Sequence, residues 1–336
     1  MNKQNRLGNI QLGKREHSEK RQTEHGWYDL DPYNTVLTRP AIVIFGGNTT
    51  DNPEFANGYA KIIENFLLDK YRKNYEIFSF YYKTESIDNV SKGLNKDYYD
   101  EIHEIFESMF KPMIYDKITG KIKELQGIEK AFRSLILVGH CGGCNFISEI
   151  IDDFYFELIN KYSPATAEML IKKIQYMGYA PNKFPSLKTN SLFIAPFRDS
   201  NFSWANVVSR IEEDKPDNDY PRNIHKEFKK LAYKYHPGDS FENYFQENRA
   251  LVFKKDGEIC IIPDSLNTIG GTDDHSIKVI SKINSENDNA LNAEIVSTAA
   301  KIFLNQAASS IPVDATSTFL KIAQLIDNNP PAKEKC

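Results

Sequence analysis

A cysteine set among glycines stands between a strand-like and a helix-like stretch of the chain. Residues 135–138 are large and apolar, as in a short strand buried on both faces. Residues 139–143 have the sequence Gly-His-Cys-Gly-Gly, which permits a tight turn, and apolar residues then recur at helical spacing from Phe146 to Phe154. A thiolate at the start of a helix is stabilised by the helix dipole and is a strong nucleophile. The pattern therefore predicts covalent chemistry on Cys141.

This order of strand, glycine turn and helix resembles the nucleophile elbow of the α/β-hydrolase superfamily, with cysteine at the centre of G-x-S-x-G. Cysteine is the minority form, found for example in dienelactone hydrolases and polyhydroxyalkanoate synthases. The resemblance implies that the backbone N–H of Gly142 stabilises the oxyanion of the reacting carbonyl. A second donor, Gly47 or Asn48, is expected where a glycine pair leaves an earlier predicted strand. An ordinary strand-to-helix turn is the alternative for that pair.

The same resemblance implies that an acid and then a histidine follow the nucleophile along the chain. His275 lies in a loop rich in glycine and aspartate after the last predicted strand, and it is the expected general base; His236 is the alternative. Asp199 follows a predicted strand and is the expected carboxylate that orients the base. Asp239 and Asp264 are the alternative acids.

Strand-like and helix-like stretches alternate through most of the chain, which predicts an α/β fold with a mostly parallel sheet and helices on both faces. The predicted strands are 41–45, 75–82, 135–138 and 191–196, followed by a hairpin of 251–253 and 258–262. The predicted helices are 55–71, 97–112, the one after Cys141, about 163–176 and about 292–304. Too little chain lies between Gly178 and Ser191 for another crossover helix, so the number of strands after Cys141 stays open.

The chain divides into one large domain with less regular ends. Residues 1–38 are polar and weakly periodic and are expected to form a flexible arm, and 328–336 are expected to be disordered. Residues 39–327 form the predicted α/β-hydrolase-like domain. Within it, residues 202–248 are aromatic and charged, and they are either a helical lid over the site or a peripheral helix pair.

Composition excludes several classes of function. Across 336 residues the net charge is −4, which provides no basic surface for nucleic acid. No apolar run approaches the roughly 18 residues of a membrane span, and the N-terminus lacks the apolar core of a signal peptide. Four cysteines are too few for a disulfide framework, so a cytoplasmic location is expected, with leaderless export left open. The oligomeric state is not predicted.

Together these features predict a cysteine-dependent acyl hydrolase that acts on a small-molecule or acyl-chain ester or thioester, with no cofactor and no metal. Acyl transfer by the same thiol is the close alternative. Cys141 and Cys144 also form a C-x-x-C pair, which suggests thiol redox exchange. A metal site that includes His140 lacks a fourth ligand, and the Gly46–Gly47 loop lacks a complete nucleotide-binding motif. A hydrolase-like fold that only binds is the non-enzymatic alternative.

Overall fold

The computed structural model describes eight segments of the chain: residues 8–15, 26–47, 50–82, 96–181, 183–194, 250–255, 258–263 and 290–309. The strands in these segments are β1 (Ile10–Arg15), β2 (Trp27–Leu30), β3 (Ala41–Phe45), β4 (Glu76–Tyr82), β5 (Leu135–His140), β6 (Gln175–Tyr179), β7 (Asn190–Ile194), β8 (Ala250–Lys255) and β9 (Glu258–Pro263). The helices are α1 (Pro53–Phe66), α2 (Asp69–Arg72), α3 (Lys96–Ile105), α4 (Leu125–Arg133), α5 (Gly143–Ile159), α6 (Pro164–Ile171) and α7 (Ala290–Ala308). One π-helical turn (Phe106–Phe110) and one 3₁₀ turn (Lys111–Met113) follow α3.

The nine strands form one mixed sheet in the order β2-β1-β4-β3-β5-β6-β7-β9-β8. The neighbouring pairs from β4 to β9 are parallel, whereas β1 is antiparallel to both its neighbours and β8 is antiparallel to β9. After β3 the chain adds β4 on one side of that strand, and it later adds β5 on the other side. The direction of sheet growth therefore reverses at β3, and the carboxyl ends of β3 and β5 flank the kind of crevice in which open α/β sheets bind ligands.

Alternate residues of the central strands pack into two separate hydrophobic clusters. In β3, Val43 and Phe45 belong to one cluster, and Ile42 and Ile44 belong to the other. Residues of α3, α4, α5 and α6 complete the first cluster, and residues of α1 and α7 complete the second. Because successive side chains of a strand point to opposite faces, the sheet is covered by helices on both sides, as predicted.

The sequence-based boundary of the helix after Ser163 is wrong. Helix α6 ends at Ile171, and residues predicted to continue it form β6, which pairs in parallel with β5. All five residues of β6 are buried, so the strand has no polar–apolar alternation that would separate it from a buried helix end. The described residues between β6 and β7 contain no helix, in agreement with the short spacing.

Two segments of the predicted N-terminal arm 1–38 form the strands β1 and β2 of the sheet. Ile10 and Leu12 are fully buried, and β1 pairs with β4 along its whole length. The carboxylate of Glu101 on α3 accepts hydrogen bonds from the backbone N–H groups of Asn9 and Ile10, at 3.0 and 2.9 Å, and from the Tyr33 hydroxyl at 3.0 Å. These hydrogen bonds attach the N-terminal segment to the domain. They join residues far apart in the sequence, so the local pattern of apolar residues does not predict them. The predicted insert 202–248 and tail 328–336 lie outside the described residues.

Replacing Glu101 by Gln should weaken this attachment. The amide nitrogen of glutamine is a donor, so it faces donors where the carboxylate oxygen accepted, and the free energy of unfolding should fall by about 1–3 kcal/mol. Urea denaturation measures the loss. The control is Glu104→Gln, an exposed position on the same helix that should change stability by less than about 0.5 kcal/mol. Equal stability of the two variants would contradict the attachment.

Candidate active site

Cys141 lies in a two-residue turn between β5, which ends at His140, and α5, which begins at Gly143. Its backbone φ is +51°, a left-handed conformation that costs a non-glycine residue roughly 1–2 kcal/mol. The Cys141 N–H donates to the carbonyl oxygen of Tyr179 on β6 at 3.1 Å, so the neighbouring strand holds the strained residue in place. Strain of this kind at a buried turn persists only where surrounding structure enforces it, and it is concentrated at functional sites.

Two glycines allow the turn to sit tightly on the sheet. A Cβ atom at Gly143 would lie 2.1 Å from the carbonyl oxygen of Phe45, so the first residue of α5 packs directly on the backbone at the end of β3. A Cβ atom at Gly139 would lie 2.8 Å from Sγ of Cys144. Backbone contact of this closeness excludes any side chain at Gly143, which explains the glycine found there in the sequence.

The loop after β3 lies against the same turn. A Cβ atom at Gly47 would be 3.2 Å from Cβ of Cys141 and 2.8 Å from Nδ1 of His140. Gly142 is the residue that precedes the first turn of α5, where backbone N–H groups have no acceptor within the helix. The structure thus brings Gly47 and Gly142, two of the predicted oxyanion donors, beside Cys141.

His140 is buried next to the cysteine and contacts two tyrosines. Its Nδ1 lies 2.6 Å from the hydroxyl oxygen of Tyr59 on α1, and its ring centroid is 5.6 Å from that of Tyr179. Burial raises the pKa of Tyr59 to about 12, although the Thr50 hydroxyl and the Gly47 N–H facing the phenol oppose this effect. Tyr59 lies in the predicted helix 55–71, and the sequence assigns it no role in the site. Its hydroxyl is the one feature in the sequence that indicates a polar contact.

Cys144 has a different environment from Cys141. It is fully buried in the cluster beneath α5, and its thiol points at the backbone of Gly139. Burial raises the pKa of the Cys144 thiol far above its ordinary value, and a contact with the Tyr176 hydroxyl opposes this only in part. A thiol that resists ionisation is a poor partner for disulfide exchange, so the two cysteines are suited to different roles.

The remaining predicted site residues cannot be placed. They lie outside the described residues: Asn48, Asp199, His236, Asp239, Asp264 and His275. Within the described segments, no three His, Cys, Asp or Glu side chains come together in a group that could hold a metal ion. No helix in this part of the chain has an apolar stretch long enough to cross a membrane.

The sequence matches no protein-family model and no curated protein. The class of the protein therefore follows from its architecture. It is an α/β protein with a mostly parallel mixed sheet covered by helices on both faces, and it carries a cysteine in a strained turn where the direction of sheet growth reverses.

Replacing Gly143 by Ala should disrupt the turn. The added methyl group collides with the Phe45 and Gly46 carbonyl oxygens, and backbone cannot move aside as a side chain can. We expect a loss of about 1–3 kcal/mol in the free energy of unfolding, measured in urea.

The matched control is Gly58→Ala, in the exposed interior of α1, where a Cβ atom meets nothing within 4 Å. Alanine favours helix over glycine, so this variant should gain about 0.5–1 kcal/mol. A Gly143→Ala protein as stable as the wild type would show that the contact with β3 is not tight.

Proposed function

We propose that this protein is a cysteine-dependent acyl hydrolase of the α/β-hydrolase type, acting on esters or thioesters through an acyl-enzyme on Cys141. The observation that carries the proposal is the placement of Cys141. Its φ is +51° in a turn between a fully buried parallel strand and the N-terminus of a helix of 17 residues. This turn sets the Cys141 side chain at the carboxyl edge of the sheet, 4 % exposed and at the start of the helix, as in a nucleophile elbow.

The reaction has two steps. The sulfur of Cys141 attacks the acyl carbon, the bond to the leaving group breaks, and the alkoxide or thiolate departs with the proton given up by the cysteine. Water then attacks the thioester, which releases the carboxylic acid and restores the thiol. In the proposal His275 takes and returns the proton, and Asp199 orients it, with Asp239 and Asp264 as alternative acids.

The oxyanion of each tetrahedral intermediate needs donors beside the sulfur. In the proposal these are the N–H of Gly142 and the N–H of Gly47 or Asn48. The close approach of Gly47 to Cys141 supports this arrangement, because it puts the loop within reach of an acyl group bound to the sulfur. The helix N-terminus adds partial positive charge at the same place.

The chemistry of the sulfur nucleophile favours some classes of substrate over others. A thiolate is both a good nucleophile and a good leaving group, so activated carbonyls such as esters and thioesters are favoured over peptide bonds. If an alcohol, amine or thiol replaces water in the second step, the same intermediate gives acyl transfer. A lid formed by residues 202–248 would line an apolar acyl or aromatic site.

Hydrolysis of p-nitrophenyl esters of graded acyl length tests the proposal. Cys141→Ala should lose at least about a thousandfold in kcat, because the proposed acyl-enzyme forms on the sulfur that this change removes. Cys144→Ala should keep most of its turnover, since that thiol lies in the core. Thermal unfolding confirms that both variants are folded.

The outcomes separate the alternative functions. Turnover that survives in Cys141→Ala would contradict the proposal. An equal requirement for Cys144 in a folded variant would instead favour redox exchange through the C-x-x-C pair. An unreactive Cys141, resistant to alkylation at mildly acidic pH, would favour the non-enzymatic binding protein.

A further inference from the structure

Tyr59 places a buried hydroxyl beside the turn, and the residues around that hydroxyl indicate what it does. His140 occupies the same face of β5 as Ile136 and Val138, the face that α1 covers, and Tyr59 projects from α1 onto it. The phenol oxygen and Nδ1 of His140 are 2.6 Å apart, and the two rings are tilted by 36°. Tyr59 and His140 are both more than nine-tenths buried, so this contact forms away from bulk water.

The same pair contacts the loop that is proposed to stabilise the oxyanion. Gly47 fits between His140 and Cys141, where a Cβ atom would be 2.8 Å from Nδ1 and 3.2 Å from Cβ of the cysteine. The Gly47 N–H faces the Tyr59 oxygen. Thr50, fully buried two residues past Asn48, lies near the phenol, although its geometry falls short of a hydrogen bond. Movement of Tyr59 or His140 would therefore move Gly47 relative to the sulfur.

Two tautomers of the imidazole fit the 2.6 Å contact between Tyr59 and His140, because Nδ1 either accepts from the phenol or donates to it. At neutral pH the phenol keeps its one hydrogen, because burial raises the pKa of Tyr59 to about 12. The phenol can therefore act as the donor to Nδ1, and in that arrangement the imidazole carries its own proton on Nε2.

We propose that Tyr59 is a positioning residue for the Cys141 site: its hydroxyl donates to Nδ1 of His140, holds that imidazole in the tautomer protonated on Nε2, and thereby fixes Gly47 against the cysteine. Tyr59 acts through His140 and Gly47 and does not touch the reacting atoms. Its effect on turnover rests on the proposed function, whereas the hydrogen bond and the tautomer do not.

The first test is spectroscopic and uses the wild-type protein. In a sample labelled with ¹⁵N-histidine, the His140 signals are assigned by their loss in His140→Gln. At neutral pH, Nδ1 should show the shift of an unprotonated, hydrogen-bonded nitrogen, and Nε2 should show that of a protonated one. In Tyr59→Phe the ¹⁵N chemical shift of Nδ1 should change to that of an unprotonated nitrogen with no hydrogen bond. Alternatively, both ring nitrogens should show the intermediate shifts of a mixture of the two tautomers. A proton on Nδ1 in the wild type would overturn the proposal.

The second test compares turnover with thiol reactivity. In Tyr59→Phe, kcat for ester hydrolysis should fall by up to roughly 100-fold with little change in KM, because misplacing a donor by about 1 Å affects mainly the transition state. Alkylation of Cys141 by iodoacetamide needs no oxyanion donor and should change little.

The control variant is Tyr75→Phe. The Tyr75 hydroxyl is also buried and has no hydrogen-bond partner in the described part of the chain, so its removal should leave kcat and the His140 spectrum unchanged. Equal kcat in Tyr59→Phe and the wild type would overturn the positioning role. Absence of ester turnover in every protein would contradict the proposed function alone, because the spectroscopic test would still decide whether Tyr59 holds His140.

Discussion

The contact between the first residue of α5 and the backbone at the end of β3 is the constraint on which the site depends. At Gly143 the helix comes so close to the Phe45 carbonyl that no side chain fits, and the turn before it has only two residues. A chain forced to reverse so sharply places Cys141 at positive φ. The strain is supported by the hydrogen bond to β6 and by burial of β5 on both faces, so the surrounding sheet supplies the stability that the turn lacks.

Three buried polar residues lie near this turn. His140 precedes Cys141 and contacts Tyr59, and Thr50 lies near the Tyr59 phenol, so an unpaired polar group among them would cost the protein stability. Pairing of the imidazole with the phenol reduces this cost and fixes their positions at the same time. Cys144, three residues along, instead packs into the cluster beneath the helix. Both cysteines of this short motif are buried, but Cys144 packs within the cluster under α5 and Cys141 lies in the turn next to His140.

The central part of the fold could be predicted from sequence because its signals are local. The run 135–138, the glycines after it and the paired apolar run 41–45 specify two neighbouring parallel strands and the turn. Strand β6 could not be recognised, since a five-residue strand buried on both faces has no period of its own. Strand β1 was missed because the bonds from Glu101 that secure it span about ninety residues. Tyr59 and His140 are 81 positions apart in the sequence, so no local pattern predicts their contact. The predicted base His275 and acid Asp199 remain predictions from chain order and from their places after predicted strands.

Acylation of Cys141 tests the central claim most directly. The protein is mixed with p-nitrophenyl acetate, quenched in acid within the first turnover, digested and analysed by mass spectrometry. The account predicts one acetyl group per chain on the peptide that contains Cys141, removed by neutral hydroxylamine and absent from Cys141→Ala, with p-nitrophenol released in an equal amount. Release of p-nitrophenol with no acyl group on that peptide, or with an acyl group on another residue, would contradict a thioester intermediate at the turn.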